Sequence, residues 1–443
     1  IPYRGGKDSA GKAGTGGDIN HLLLQTVRRS EMDRNKISGQ RQYEFVGKFN
    51  YIREAGTSGE QRASEEIQRD LKELGLTGRR EEFEFAAYET TEECLVVTKP
   101  YEKEYLVTGY KRCGNTPAEG IEAPFLYIEN GDDISLSFAK GKIVMLNGPV
   151  RKEMYQKLVE AQAAGFVTVS GTPIDMGEDL KPAGYTLRGV EKIPIQGVNL
   201  HYKDAVELVE KGALRVKLIL RQKKAVRTSQ NIAARIEGQD KAEEILTLSA
   251  HYDSVPQGPG AYDNMAGAAM IMELAIYFKE NPPRRTMEFI WFGAEEMGLC
   301  GSQAYVKLHE KELSRHRFNM NVDLAGQLIG GTVIGVTADA AVCQMLSYVV
   351  HETGMGVSFI NGIWGSDSNT FAWKGIPAMT LNRDGFGMHT RYDTIDLISP
   401  WSLKRSACVL GGIAERLAQA EVMPFKREVP EEFKRKLDTY FID

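Results

Sequence analysis

Long apolar runs are missing from this chain. No uninterrupted stretch of its 443 residues approaches the roughly 20 that a helix needs to cross a bilayer, so no membrane span is expected. Cysteine is scarce. Cys94, Cys113, Cys300, Cys343 and Cys408 are odd in number and scattered, which points to free thiols rather than a disulfide framework. Free thiols favour a cytoplasmic location. No signal peptide is visible, and a start at Ile1 rather than Met equally suits a secreted protein whose leader was removed. A basic stripe is also lacking. Net charge is −5, and short runs such as Arg221 to Lys224 and Lys434 to Lys436 read as solvated faces, so no nucleic-acid partner is expected. Nothing in the chain speaks to oligomeric state.

Hydrophobic residues make up 42% of the sequence, enough for a packed interior, and the length exceeds one simple core, so two or three domains are expected. Residues 1–17, rich in Gly, Lys and Ser, read as irregular. Helix-like material runs from His21 to Asn50. Ser58 to Leu76 reads as a helix, with Ser58 as N-cap, Gln61 three residues on, and Ala63, Ile67, Leu71 and Leu74 at helical spacing. The alternation Glu82, Phe83, Glu84, Phe85 is that of a strand. Residues 100–225 carry short strand-like runs and one helix-like run, Arg151 to Ala164, without a histidine–acid cluster. After Thr228 strands and helices alternate: strand-like runs at 231–236, 244–248, 286–292, 320–324, 332–336 and 378–381, with helices over 264–280, 340–353 and 401–420. This alternation predicts an α/β layer fold with a mixed, mostly parallel sheet flanked by helices, and a site outside the carboxyl ends of the strands. The tail after Pro424 is charged and reads as peripheral.

Chemistry-bearing residues gather where strand-like runs stop, above all between Leu246 and Ser302. His251 and Asp253 are two apart and point the same way in extended chain. Asp253 can therefore fix the histidine's tautomer or orient a nearby carboxylate. Asp263 lies in a turn feeding a helix, where it can serve as N-cap or bridge two cations. Glu295 and Glu296 follow a hydrophobic strand, with no packing reason to be there. One suits a metal ligand, and the other a general base acting on a metal-held water. Asp323 and His389 each follow a strand-like run further on. Two histidines and three carboxylates, with no thiolate, suit zinc or another divalent ion. If one carboxylate bridges, each of two metals receives one histidine, one terminal carboxylate and the shared Asp.

The ordered pattern His251-x-Asp253, Asp263-Asn264, Glu295-Glu296, Asp323, His389 resembles the M28 family of metallopeptidases, the zinc aminopeptidase group. The flanking Ala261 to Gly267, Phe292 to Leu299, and His389-Thr390 before Asp393-Thr394 match as well. The resemblance implies a zinc-exopeptidase, phosphorylase/hydrolase-like fold. Two Zn²⁺ are implied, one on His251 and Asp323, the other on Glu296 and His389, with Asp263 bridging. Glu295 and Asp253 fall on the catalytic side, Glu295 as general base and Asp253 behind the ligands. A cis bond between Asp263 and Asn264 is implied too. The implied activity is release of N-terminal residues from peptide substrates, with a metal-bridging hydroxide as nucleophile. The alternative is a carboxypeptidase or dipeptidase on the same site, with Arg383 and Arg391 as candidates for a substrate carboxylate. A glutaminyl cyclase and a non-catalytic relative stand further off, since all five ligands are present. Lys140 to Leu146, Ala164 to Val169 and Ile193 to Ile195 resemble a protease-associated (PA) domain. That divides the chain into 1–99 and 226–443 as catalytic domain and 100–225 as a β-rich PA-like insert, able to narrow the cleft with Tyr and Phe side chains. Two departures stand out. Met388 replaces the family's Tyr before the late histidine, and Ser366-Asp367-Ser368 replaces Ser-Asp-His. The oxyanion is then stabilised by metal alone or by a donor such as Tyr392 or Tyr262. Ile363, Trp364, Phe371 and Phe386 are candidates both for an apolar specificity pocket and for core packing.

Overall fold

The computed structural model describes residues 32–190 and 192–441, without the side chain of Asp179. The irregular start expected over residues 1–17, and the first part of the helical stretch expected from His21, lie outside them. The main strands are β1 (Arg79–Lys99), β2 (Ile121–Tyr127), β3 (Ile143–Asn147), β4 (Gly165–Ser170), β5 (Gly197–His201), β6 (Arg215–Ile236), β7 (Lys241–His251), β8 (Arg285–Phe292), β9 (His316–Val322), β10 (Thr332–Thr337), β11 (Ser358–Asn361) and β12 (Ala378–Arg383). Their order in space is β11-β10-β12-β9-β7-β8-β6-β2-β3-β4-β5. β7 pairs in parallel with β8 and β9, and β9 with β12. β10–β12 and β6–β8 are antiparallel. The sheet is thus mixed and largely parallel, with helices on its faces, as the alternation predicts.

Every residue of β8, Arg-Thr-Met-Glu-Phe-Ile-Trp-Phe, is buried, as expected of a strand covered on both faces. The helices that position the site are α1 (Ser58–Glu73), α2 (Ala266–Glu280), α3 (Pro400–Gln419) and α4 (Glu431–Phe441). α2 reads Ala-Gly-Ala-Ala-Met-Ile-Met-Glu-Leu-Ala and is buried almost all round, so it packs into the core rather than on its surface. α1 starts at Ser58, but its cap residue is Thr57, and the capping box expected from Ser58 and Gln61 does not form. Gln61 donates instead to Glu65 (3.0 Å), and the buried Glu60 carboxylate accepts the Gly56 N–H (2.7 Å).

β1 and β6 pair antiparallel along their length and lead from the main sheet to β2–β5. These strands have cores of their own, with Leu95, Val167 and Val198 in one and Tyr110, Tyr155 and Phe166 in another. The charged tail is not peripheral. α4 seats Phe433 and Leu437 among Phe292, Tyr305 and Phe371, and Phe441 stacks on Trp373 with centroids 4.7 Å apart. Two well-spaced apolar anchors dock a helix whose other residues are mostly polar. Among the described residues no helix is long and apolar enough to cross a membrane.

Candidate metal centre

β7, β8 and β9 end side by side, and chemistry-bearing residues stand at or just beyond their carboxyl ends. β7 ends in His251 itself; Glu295 and Glu296 follow β8, and Asp323 follows β9. His389 comes from the loop after β12, and Asp263 from the turn before α2. The structure brings these residues together. His251 Nε2 lies 3.1 Å from Asp263 Oδ1 and 3.6 Å from Asp323 Oδ1. His389 Nε2 lies 3.1 Å from Asp263 Oδ2 and 3.2 Å from Glu296 Oε1. The two oxygens of Asp263 therefore face different histidines. The donors fall into two sets of three that share this residue, each with its ligand atoms within 4.8 Å of one another. Metal–donor bonds of about 2.0–2.2 Å would bring such atoms to within roughly 4 Å, so each set needs little adjustment to close on a divalent ion.

The electrostatics fit a cation. Carboxylates crowd the histidines so closely that both rings are driven to hold a proton. Burial opposes this, but hydrogen bonds to Asp263 and Glu296 lift His389 to about 11. Glu295, Asp253, Asp263 and Asp323 outweigh burial and push His251 well above its usual range. Glu295 is raised by burial, helped by Asp323 and Glu296 and opposed by His251. Glu296 is also raised, first by burial and then by Asp263. Glu296 Oε1 is buried and faces the His389 ring at 3.2 Å. The protons held on the two rings stand where a cation would take their place.

The loops carrying the ligands are gripped through their amides. Asp253 accepts the N–H groups of Glu295 (3.0 Å) and Glu296 (3.2 Å), while its approach to His251 Nδ1 is longer, 3.4 Å. Of the two roles open to Asp253, holding the glutamate loop is the better made. Asp393 grips the Asp263 turn in the same way, through Tyr262 N (2.6 Å) and Asp263 N (3.0 Å). Asn264 donates to Val322 O and accepts Leu324 N–H, tying that turn to the end of β9. The Asp263–Asn264 peptide is cis. Ala294, Leu324 and His389 all have positive φ (52°, 72° and 60°), so left-handed backbone recurs at or beside ligand residues.

Several contributors had no signal in the sequence. Buried Arg53 donates to the carbonyls of Phe49, Tyr51, Tyr252, Pro259 and Gly260, and so clamps the stretch between His251 and Asp263; burial lowers it to about 10. Glu60, under Asp253, is raised to about 8 by burial. Asp367 is fully buried, with neither oxygen hydrogen-bonded, and burial raises it to about 7. The first two lie some 200 residues from what they support, and Asp367 shows in the sequence only as the centre of the altered Ser-Asp-Ser.

Two expectations need correction. Tyr262 is not free to hold an oxyanion: it is buried, and its hydroxyl donates to Arg383 O. Arg383 cannot meet a substrate carboxylate, because its guanidinium is buried on Gln327 O, Leu328 O and Thr332 Oγ1. Of the two places open to Phe371, pocket or core, the structure puts it in the core. Arg391 lies 3.8 Å from Glu178. Tyr392, Phe386 and Met388 line the cleft above the site, about 2120 Å³ in volume, together with Glu296, His389 and, from residues 100–225, Tyr185 and Arg188.

Known proteins share this arrangement's sequence and fold. A model described as Peptidase family M28 matches residues 231–413. Aminopeptidase YwaD of Bacillus subtilis (strain 168) is 30% identical over 355 residues, 74% of this chain and 74% of that protein. Carboxypeptidase Q of Mus musculus is 25% identical over 395 residues, 83% of each. The solved structure of BSAP, a zinc aminopeptidase from Bacillus subtilis, superposes with a TM-score of 0.73 at 24% identity, covering 90% of this chain and 99% of that one. With its ligand-bearing strand ends inside the matched region, this chain belongs to peptidase family M28.

Proposed function

We propose that the protein is a two-zinc exopeptidase that releases N-terminal residues from peptides. The observation that carries this is the division of five donors into two sets by the two oxygens of Asp263. His251 and Asp323 would hold one ion, Glu296 and His389 the other. Bound zinc supplies Lewis acidity, polarising the scissile carbonyl and lowering the pKa of water toward neutrality. Glu295, half-buried just past the strand end and bound to no other side chain among the described residues, takes the proton from the attacking water and returns it to the leaving amine. Asp253 fixes the peptide between the two glutamates, so that one carboxylate faces metal and the other the reacting water. The acidic surroundings suit a substrate's free ammonium group. Residues 100–225 act as a PA-like insert that walls the cleft through Tyr185 and Arg188. With Tyr262 committed to Arg383, Tyr392 remains of the two tyrosine candidates for assisting the oxyanion.

The test uses leucyl-anilide, N-blocked leucyl-anilide and a C-terminally blocked dipeptide, each with and without chelator. Cleavage of the first and third only, and only with metal, is expected. Equal cutting of the N-blocked substrate would sink the aminopeptidase reading.

A further inference from the structure

With Arg383 buried on carbonyls and Arg391 beside Glu178, another cation stands nearer the ligand loop. Arg188 comes from the insert, on a segment fixed by the Lys111–Thr186 bridge, the Leu187 N–H to Lys111 O hydrogen bond (3.0 Å) and the buried Leu187 side chain. Its guanidinium donates to the backbone carbonyl of Glu296 (3.3 Å). It lies over Gly298 so closely that a Cβ there would sit 3.3 Å from its Cζ. Among the described residues it makes this one hydrogen bond and no ion pair, which leaves the rest of its planar fork of donors toward the cleft.

A second group stands on the same wall. Tyr440 projects from the last turn of α4 into the cleft that Arg188, Glu296 and His389 also line. Its base is fixed by the buried Leu437, the Phe441–Trp373 stack and the Trp373 Nε1–Asp438 hydrogen bond (3.0 Å). Its hydroxyl has no hydrogen-bond partner among the described residues and lies 4.0 Å from where a Cβ on Gly365 would be. Burial and the Glu295 charge raise its pKa while Arg188 lowers it. It stays a neutral donor.

We propose that Arg188 and Tyr440 together bind the free α-carboxylate of the substrate, so that the preferred substrates are dipeptides with an unblocked C-terminus. This rests on the two-metal exopeptidase reading. In a dipeptide the carboxylate lies one residue beyond the scissile carbonyl, about 3.6 Å of extended chain. Arg188, bound to the backbone carbonyl of a residue whose own side chain is a metal-ligand candidate, lines the cleft beside the donors. A planar guanidinium beside a hydroxyl donor suits a carboxylate, and a longer peptide would have to pass its chain over this pair.

The test compares leucyl-leucine with leucyl-leucinamide on the zinc-loaded protein, then on Arg188→Gln and Tyr440→Phe. A charge-assisted pair predicts a kcat/KM for the free acid about tenfold above that for the amide, carried by KM. Arg188→Gln should collapse this ratio, and Tyr440→Phe should reduce it by a smaller factor. A merely structural role would lower both substrates alike and leave the ratio as it was. Calorimetric titration of both compounds into Glu295→Gln protein reads the same preference without turnover. Equal use of acid and amide by the wild type, or a ratio that survives Arg188→Gln, overturns the anchor and leaves the exopeptidase reading standing. No cleavage of either compound with zinc present overturns that reading and the anchor with it.

Discussion

The two halves of the donor cluster are built differently. His251 ends a central strand and is 1% exposed, whereas His389 sits on a loop with positive φ and is 47% exposed. Asp323 likewise follows a strand flanked by two others, while Glu296 hangs on a turn held by Asp253. In the deep half, sheet pairing sets the donors. In the open half, a few amide grips do, and water reaches His389 directly. A site that must release product and admit substrate gains from having its replaceable side on loops.

Asp263 is where the comparison breaks most completely. Asp263→Ala removes the one carboxylate common to both halves. Activity should fall to background, and atomic absorption should show both ions lost after dialysis. Retention of a full metal complement would mean that the halves do not share this ligand. Next comes Glu295→Gln. It leaves all five donors in place, so metal content should stay while kcat drops by about 10²–10⁴. Metal loss instead would show that Glu295 and Glu296 have exchanged roles.

A smaller and more discriminating effect separates the halves themselves. His389→Ala should keep a single tightly held ion, while His251→Ala should hold neither ion well, because its loss opens the buried floor on which Asp263 and Asp323 rest. Graded chelation of the wild type should remove the open-half ion first, in two resolved steps. One cooperative step would show that exposure does not order the release.

Legibility follows the same divide. The strands were readable where both faces are buried and apolar or β-branched residues run together, as in Ile245 to Leu248 of β7 and Phe289 to Phe292 of β8. β11 was not, since Ser358, Asn361 and most of its surface face solvent. The five donors that the structure gathers were marked in the sequence by their places after strand-like runs and by the resemblance of their ordered pattern to the M28 family. Arg53 and Asp393 act through backbone carbonyls and amides of distant segments, and no local pattern marks such a partner. Arg383 and Tyr262 misled because sequence carries residue type but not direction. Both side chains turn inward, Tyr262 to Arg383 O and the Arg383 guanidinium to Gln327 O and Leu328 O. Arg188 and Tyr440 meet the cleft only because the segment after Tyr185 and helix α4 are folded against it.

Glu415 gives the contrast its control, a buried carboxylate with no cation beside it among the described residues. It lies in α3, 4% exposed, with Oε2 lacking a hydrogen bond, and burial raises it from 4.5 to about 7 against the weak help of Gln419. Between those values the folded protein keeps a proton that the unfolded chain has released. Stability therefore falls as pH rises through the window, by about 1.4 kcal/mol per unit and at most about 3 kcal/mol in all. Glu415→Gln cannot ionise, so its stability relative to the wild type should climb between pH 5 and pH 8 and level off above. Urea unfolding at both values measures this. A flat difference would mean that the core around α3 solvates the charge, and that burial alone is no guide to which carboxylates in this protein need a cation.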